Sequence, residues 1–359
     1  MKILYITPTI HDAGGVERVL AVKTNYLIEQ YGYSICFLTL NNTVKDPFFK
    51  FNPAISAVDL KINETSFCKV LRYYKQVKSH IKTIQPDVVV VCSSGWKSFL
   101  FHFFVKIKQP IVLEIHNSIQ YSGFSRQGSL SKTIRKSMIK WALKTVKNKV
   151  FLSELSKMEY GNEGVVISNP ITITSNEIAN LQSKRVICVA RHSHEKGIDR
   201  LLHIWKEINA IHPEWILDIY GDGILYDTNV ALANQLNIAS SINFYLPITN
   251  IDEKYLEASL CLMTSRYEGL PLVLIEALHF GLPIVAYDCP DGPRVIIENE
   301  TNGFLVPNGN QRDFIRQTIK LMDDFELRTT IGKAAKLSAK KYDREAIMKK
   351  WDTYFKTLV

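Results

Sequence analysis

No Cys-x-x-Cys pair occurs among the six cysteines of this 359-residue chain, which are scattered at positions 36, 68, 92, 188, 261 and 289. That scatter fits reduced thiols in a cytosolic protein, not a disulfide frame or a zinc site. No apolar run approaches the roughly 18–20 residues that a membrane-spanning helix needs. The opening MKILYITPTI lacks the apolar core and small-residue cleavage site of a signal peptide. A cytoplasmic protein is therefore expected. Short internal repeats and low-complexity tracts are missing, as is the Gly-x-Gly-x-x-Gly fingerprint of a nicotinamide-dinucleotide fold. Acidic residues are absent from the whole stretch between Glu114 and Glu154.

What is present is an ordinary globular balance, 46% apolar and 22% charged. At about 150 residues per domain the length suggests two domains. The net charge of +9 is unevenly spread. Residues 1–170 hold 23 basic against 11 acidic side chains, whereas residues 171–359 hold 21 against 24. The first half thus expects a polyanion or an anionic surface, with a solvated basic face as the plainer alternative.

Short apolar runs alternate with helical patterns along both halves. Strands are expected over 2–7, 34–40, 87–92 and 111–115, with a helix after Gly14-Gly15 that stops at Gly32. A basic amphipathic helix is expected over 71–84. The pattern restarts after Asn169-Pro170 and a polar stretch, 172–184, that reads as a linker. Strands at 185–190, 215–220, 242–246, 260–264 and 283–287 follow, with helices between them. Parallel strands with helical crossovers imply an α/β chain of two doubly wound, Rossmann-like domains facing across a cleft. The expected domains are 1–172 and 173–359, with a C-terminal helix over about 340–359 able to pack back on the first.

The richest stretch is TSRYEGLPLVLIEALHFGLPIVAYDCPDGP. A strand enters a loop holding Glu268, and Pro271 stands where a first helical position would be. The N–H groups near Leu272 and Val273 then form an anion site at a helix start. Glu276 lies one turn further on, among Leu, Val, Ile and Ala. A carboxylate there needs hydroxyls or N–H groups to satisfy it. Two carboxylates around a phosphate-binding helix start suggest a ligand with hydroxyls on both sides of its phosphates, as in a sugar nucleotide. A loop carboxylate and a structural partner are the plainer readings.

In CVARHSHEKGIDRLL, Arg191 and Lys196 follow the strand and a helix begins near Gly197. Two cations at a strand's carboxyl end suit a departing diphosphate, whose negative charge grows as its bond breaks. Gly14-Gly15 lets backbone approach a phosphate beside the first helix start. There Glu17 favours capping that helix over catalysis. His116 follows the strand 111–115, and a lone histidine in such a place is usually structural. No metal-like clustering is visible among the other histidines. His192 and His194 flank the cationic loop as accessory residues at most.

The Glu268-x7-Glu276 spacing in its strand–loop–helix context resembles the signature of family-four retaining glycosyltransferases with the GT-B fold. The SRYEGLP, GLPIVAYD and NGFLVP segments are similar to that family too, particularly to members that build bacterial surface polysaccharides. The resemblance implies that Glu276 binds the donor's ribose hydroxyls and that Glu268 touches the donor sugar near the reacting carbon. It assigns the diphosphate to Arg191 and Lys196, with Gly269, Leu272 and Val273 completing the donor site. Gly14 and Gly15 would face donor phosphates and acceptor, and His116 would lie near the donor sugar. The implied catalytic set is Glu268, Lys196, Arg191 and His116. No Asp-x-Asp triplet exists to carry a divalent cation, so neither a metal nor any other cofactor is expected. One departure stands out: Leu246-Pro247 occupies the place where the family commonly has Gly after the strand before its base-binding loop.

The resemblance favours UDP-galactose, UDP-N-acetylgalactosamine or UDP-N-acetylglucosamine as donor. The acceptor would be a glycan or a polyprenyl-diphosphate-linked oligosaccharide. A sugar-nucleotide epimerase of the same fold and a non-catalytic nucleotide-sugar-binding protein are the alternatives. No nucleic-acid partner is expected. The segment SKTIRKSMIKWALKTVKNKV sets Ile134, Met138, Trp141 and Leu143 against a run of Lys and Arg, the pattern of a helix lying on an anionic membrane. That would place the protein peripherally on the inner face of the cytoplasmic membrane. Packing of the same residues on the domain's own sheet is the competing reading.

Overall fold

The structure, a computed structural model, describes residues 1–40, 46–62, 67–92, 96–116, 132–161, 163–290 and 292–359. The chain divides into two compact units, Met1–Pro170 with Arg344–Val359, and Ile171–Asp343. The first sheet comprises β1 (Lys2–Ile6), β2 (Ser34–Leu40), β3 (Ser56–Leu60), β4 (Val88–Cys92), β5 (Ile111–Ile115), β6 (Asn148–Phe151) and β7 (Val165–Val166). All pair in parallel in the order 3-2-1-4-5-6-7. The second sheet holds β8 (Arg185–Val189), β9 (Ile216–Tyr220), β10 (Ile242–Tyr245), β11 (Leu260–Met263), β12 (Ile284–Asp288) and β13 (Gly303–Pro307). Its order is 10-9-8-11-12-13, again all parallel.

Both sheets are doubly wound. Strand order reverses between β1 and β4 in the first unit and between β8 and β11 in the second. Such switch points open a crevice at the carboxyl ends of the strands, where ligands of this fold class bind. The central strands are continuous apolar runs because helices cover both faces; β4, Val-Val-Val-Val-Cys, is buried throughout. Strands β3, β6, β7 and β13 were not expected. β3 carries Asp59 and is largely exposed at its start, while Lys149 interrupts the apolar run of β6. Polar residues hide β3 and β6 from a periodicity argument, and β7, with two residues, is too short to show a period.

The last helix, Arg344–Lys356, belongs to the first unit. Its Ile347, Met348, Trp351 and Phe355 are buried with Ile3, Tyr5, Leu20 and Leu27, and the Tyr33 hydroxyl donates to Asp352 at 2.8 Å. The unit boundary falls after Pro170, and the stretch 172–184 is not a free linker. Ile173, Ala179 and Leu181 are buried in the second unit. Ala179 N–H donates to the Phe280 carbonyl and Arg328 Nε to that of Leu181. A polar sequence here conceals a strap whose backbone groups find partners in the body it crosses.

The basic segment resolves into a helix, Lys132–Lys144, followed by β6. Leu143 and Ile139 are buried in the unit's own core, whereas Trp141 is 61% exposed. Lys149 is not a surface cation: it is buried and donates to the Leu143 carbonyl and to Glu163. The side chains of Lys132, Ile134, Arg135, Lys136 and Met138 lie outside the described residues, as do Asn117, Arg126 and Asp291.

Candidate active site

At the switch point of the second sheet, β8 leads into the loop bearing Arg191 and Lys196, and β11 into the loop bearing Glu268. Lys196 Nζ donates to both carboxylate oxygens of Glu268 at 2.8 Å, and the Ser265 hydroxyl donates to Oε1 at 2.6 Å. The side chains are 22% and 7% exposed, so the pair sits at the surface of the crevice with its carboxylate shielded. A cation and a carboxylate held this way can meet an anionic leaving group and a hydroxylated ring from one spot.

The loop is pinned from beneath. Gly197 has φ +66°, and a Cβ there would stand 2.3 Å from the Thr264 carbonyl oxygen. Thr264 Oγ1 donates to the Gly197 carbonyl at 2.9 Å. Only glycine lets the Lys196 loop approach β11 so closely in a left-handed conformation. Arg266 adds a clamp: it donates to the His194 carbonyl at 2.7 Å and to both oxygens of Asp199 at 2.9 and 2.5 Å. Asp199 is half-buried; burial works to raise its carboxyl, but the Arg266 bonds and charge prevail and hold it below the usual range. Gly292 lets a second loop cross the Glu268 segment, since a Cβ there would meet the Gly269 carbonyl at 2.6 Å.

Pro271 caps the helix Leu272–His279 from outside, where the first helical position was expected. Its first-turn N–H groups, at Leu272 and Val273, have no carbonyl one turn back within the helix. Glu276 is 1% exposed on the buried face. The Thr172 hydroxyl donates to Oε1 at 2.6 Å and the Tyr255 hydroxyl to Oε2 at 3.0 Å. Arg191 stands apart from these contacts: its side chain is 65% exposed and reaches Glu195 at 3.4 Å. His192 is fully buried, with Nδ1 3.0 Å from the Asn229 amide, and burial lowers its pKa against the opposing pull of Asp222. It packs as a core residue between Tyr226 and Phe244.

In the first unit, Gly14 precedes the helix Gly15–Tyr31, and the Glu17 carboxylate folds back over it, 2.2 Å from where a Gly14 Cβ would lie. His116 follows β5 and is 7% exposed. Glu114, two residues earlier, is buried and paired with Lys23 at 2.6 Å. Burial works to raise the Glu114 carboxyl, but the Lys23 charge and the His116 and Cys92 contacts override it and leave it well below the usual carboxylate range. Among the described residues, Cys92, Glu114 and His116 have the spacing of a metal triad. The Lys23 ammonium, bonded to both Glu114 oxygens, already fills the cation's place. Burial pushes the Cys188 thiol up to about 12 and those of Cys92, Cys261 and Cys289 well above their usual range, so none offers a thiolate nucleophile.

Sequence reasoning missed Thr172, Tyr255, Ser265, Arg266 and Asp199, which have no motif of their own. Lys23 did leave a signal. It occupies an apolar-face position of its helix, three residues after Leu20 and four before Leu27.

The whole chain aligns with Staphylococcus aureus TarM, crystallised with fondaparinux, alpha-GlcNAc-glycerol and UDP, at TM-score 0.78 and 16% identity, covering 99% of each chain. Two Rossmann-like parallel sheets of this kind make up the GT-B fold. Residues 172–338 match the family described as glycosyl transferases group 1. It is 29% identical to an uncharacterized glycosyltransferase of Haemophilus influenzae and 26% identical to the amylovoran biosynthesis glycosyltransferase AmsD of Erwinia amylovora, covering 98% of all chains involved.

Proposed function

We propose that this chain is a retaining hexosyltransferase of surface-polysaccharide synthesis. It would move galactose, N-acetylgalactosamine or N-acetylglucosamine from a UDP-sugar to a hydroxyl of a glycan or polyprenyl-diphosphate-linked acceptor. The observation that carries the reading is the Lys196–Glu268 pair at the β8/β11 switch point. UDP in TarM and the amylovoran role of AmsD support the donor class and the pathway class. Glu276 takes the ribose hydroxyls, Arg191, Lys196 and the N–H groups of Leu272 and Val273 take the diphosphate, and Glu268 with Gly269 takes the sugar. In the same proposal Gly14 and Gly15 would serve the donor phosphates and acceptor, and His116 would serve the donor sugar.

Transfer breaks the bond between the anomeric carbon and the diphosphate oxygen and forms one to the acceptor oxygen on the same face. The acceptor's proton passes to the departing diphosphate, whose charge Lys196 and Arg191 stabilise. Incubating the protein with labelled UDP- and GDP-sugars, with and without a lipid-linked acceptor, tests the reading. Transfer from one UDP-sugar with retained anomeric configuration is expected, undiminished by excess chelator. Preference for GDP-sugars overturns the base, interconversion of free sugar nucleotides indicates an epimerase, and loss of activity on chelation overturns the metal-free mechanism.

The first unit supports a peripheral membrane role. Trp141 stacks on Phe103 with centroids 5.4 Å apart, Phe104 stacks on Tyr74 at 4.7 Å, and Leu71 is 47% exposed. Lys106 and Lys108, just after Phe104, and Lys140, Lys144 and Lys147, on and after the helix that carries Trp141, are exposed. Aromatic edges with a lysine surround suit an anionic leaflet, each engaged cation adding about 1 kcal/mol. Among the described residues no helix is long and apolar enough to cross a membrane. Liposome sedimentation is expected to show binding to anionic but not neutral vesicles, weakened by salt and by Trp141→Ala. Equal partitioning to both, or to neither, removes the membrane from the partners.

A further inference from the structure

We propose that the buried Lys23–Glu114 ion pair is a positioning device for His116, holding one ring nitrogen protonated so that the other is presented as an acceptor. The inference deepens the reading of His116 as a donor-sugar contact and rests on it.

The period of two along β5 puts Glu114 and His116 on the same face. His116 Nε2 lies 3.4 Å from Glu114 Oε1, is buried, and forms no hydrogen bond. Glu114 is held in turn from two other elements. Lys23 Nζ, on the first helix, is 2.6 Å from both oxygens; Cys92 Sγ, on β4, donates to Oε2 at 3.0 Å. Tyr5 of β1 and Trp351 of the last helix close the space, their rings 5.2 and 4.2 Å from Lys23 Nζ. Lys23 is 0% and Glu114 1% exposed.

A buried ion pair is a weak source of stability, because desolvating two charges consumes most of their attraction. Apolar residues of the same size would serve a core as well. What an apolar pair could not supply is an ionised acceptor beside an imidazole. Glu114 is held well below the usual carboxylate range, burial's upward pull being overcome chiefly by Lys23, so it faces Nε2 as an anion. An anion beside Nε2 keeps the proton on that nitrogen and leaves Nδ1 with its lone pair. His116 then accepts a hydrogen bond from a hydroxyl through Nδ1, beside a carboxylate that Lys23 and Cys92 hold in place. The partner that would recognise this is a sugar hydroxyl of donor or acceptor. Glu114 and Lys23 act only through His116.

The test compares two double variants of the full chain, Lys23→Met/Glu114→Leu and Lys23→Met/Glu114→Gln. Both remove the buried charges, but only the second keeps an oxygen acceptor beside Nε2. With ¹⁵N-labelled histidine, the His116 signal is assigned by its loss in His116→Ala. The wild type is expected to show protonated Nε2 and bare Nδ1. The Gln variant should keep that tautomer, and the Leu variant should lose it. UDP release from UDP-galactose and UDP-N-acetylglucosamine is expected to fall about tenfold in kcat for the Leu variant, with KM nearly unchanged, and to recover largely in the Gln variant. The Leu loss should vanish when His116→Ala is already present. Identical tautomers in all three proteins, or an equal loss with and without His116, overturn the positioning role. Should the Leu variant fail to fold, the Gln variant decides, because loss of the tautomer there also overturns it. Normal turnover by His116→Ala alone overturns the sugar-contact reading, while the nitrogen spectra still decide the positioning.

Discussion

Lys196→Ala is expected to lower kcat by roughly 10²- to 10³-fold, the usual loss when one preorganised stabiliser of developing negative charge is removed. Charge on the departing diphosphate appears mostly in the transition state, so the loss belongs in kcat more than in donor binding. The structure adds a second consequence. Lys196 donates to both oxygens of Glu268, a carboxylate otherwise served by the Ser265 hydroxyl. Without Lys196, Glu268 is left as a shielded anion beside an anionic donor, which compounds the defect. Lys196→Arg should recover only part of the rate, since a planar fork does not replace a compact ammonium in a loop this tightly held. Steady-state kinetics at saturating donor checks the expectation; wild-type kcat in Lys196→Ala removes the leaving-group role.

Glu276→Ala is expected to weaken UDP binding about 10- to 150-fold, equivalent to losing about 1.5–3 kcal/mol of hydrogen bonding to a charged acceptor. Each Glu276 oxygen takes one protein hydroxyl, from Thr172 and from Tyr255. A carboxylate has about four acceptor positions, so one that already accepts from protein hydroxyls can also accept from a ribose. Thr172 and Tyr255 therefore aim the carboxylate rather than compete for it. Removing it takes an acceptor from the Thr172 and Tyr255 hydroxyls inside the unit, so a modest fall in Tm should accompany the binding loss, with the circular dichroism spectrum retained. Calorimetric titration with UDP is the measurement, and an unchanged Kd in a folded variant removes the ribose assignment.

Much of this arrangement is legible in local sequence. Runs such as Val88–Cys92 can be little else than strands buried on both faces, and the alternation of such runs with helical periods requires crossovers and a parallel sheet. The carboxylate of Glu276, set among Leu, Val, Ile and Ala, announced that hydroxyls had to reach it. Which hydroxyls did so was not legible, because Thr172 lies 104 residues away in a stretch whose polar composition imitates a linker. The basic segment was legible as a helix but not as to its faces. Leu143 went to the core, Trp141 to the surface, and Lys149 to a buried position from which it reaches the exposed Glu163.

The sequence by itself determined the succession and type of the central elements along the chain and the chemical kinds gathered after each strand: cations after β8, carboxylates after β11, a histidine after β5. Those follow from periodicity and local spacing, which act within a few residues. Only the tertiary structure decided the pairings, Lys196 with Glu268 across 72 residues and Lys23 with Glu114 across 91. A charge carried into a low-dielectric interior must find an opposite charge or a hydroxyl there, and which one it meets depends on how strands distant in sequence come to lie side by side.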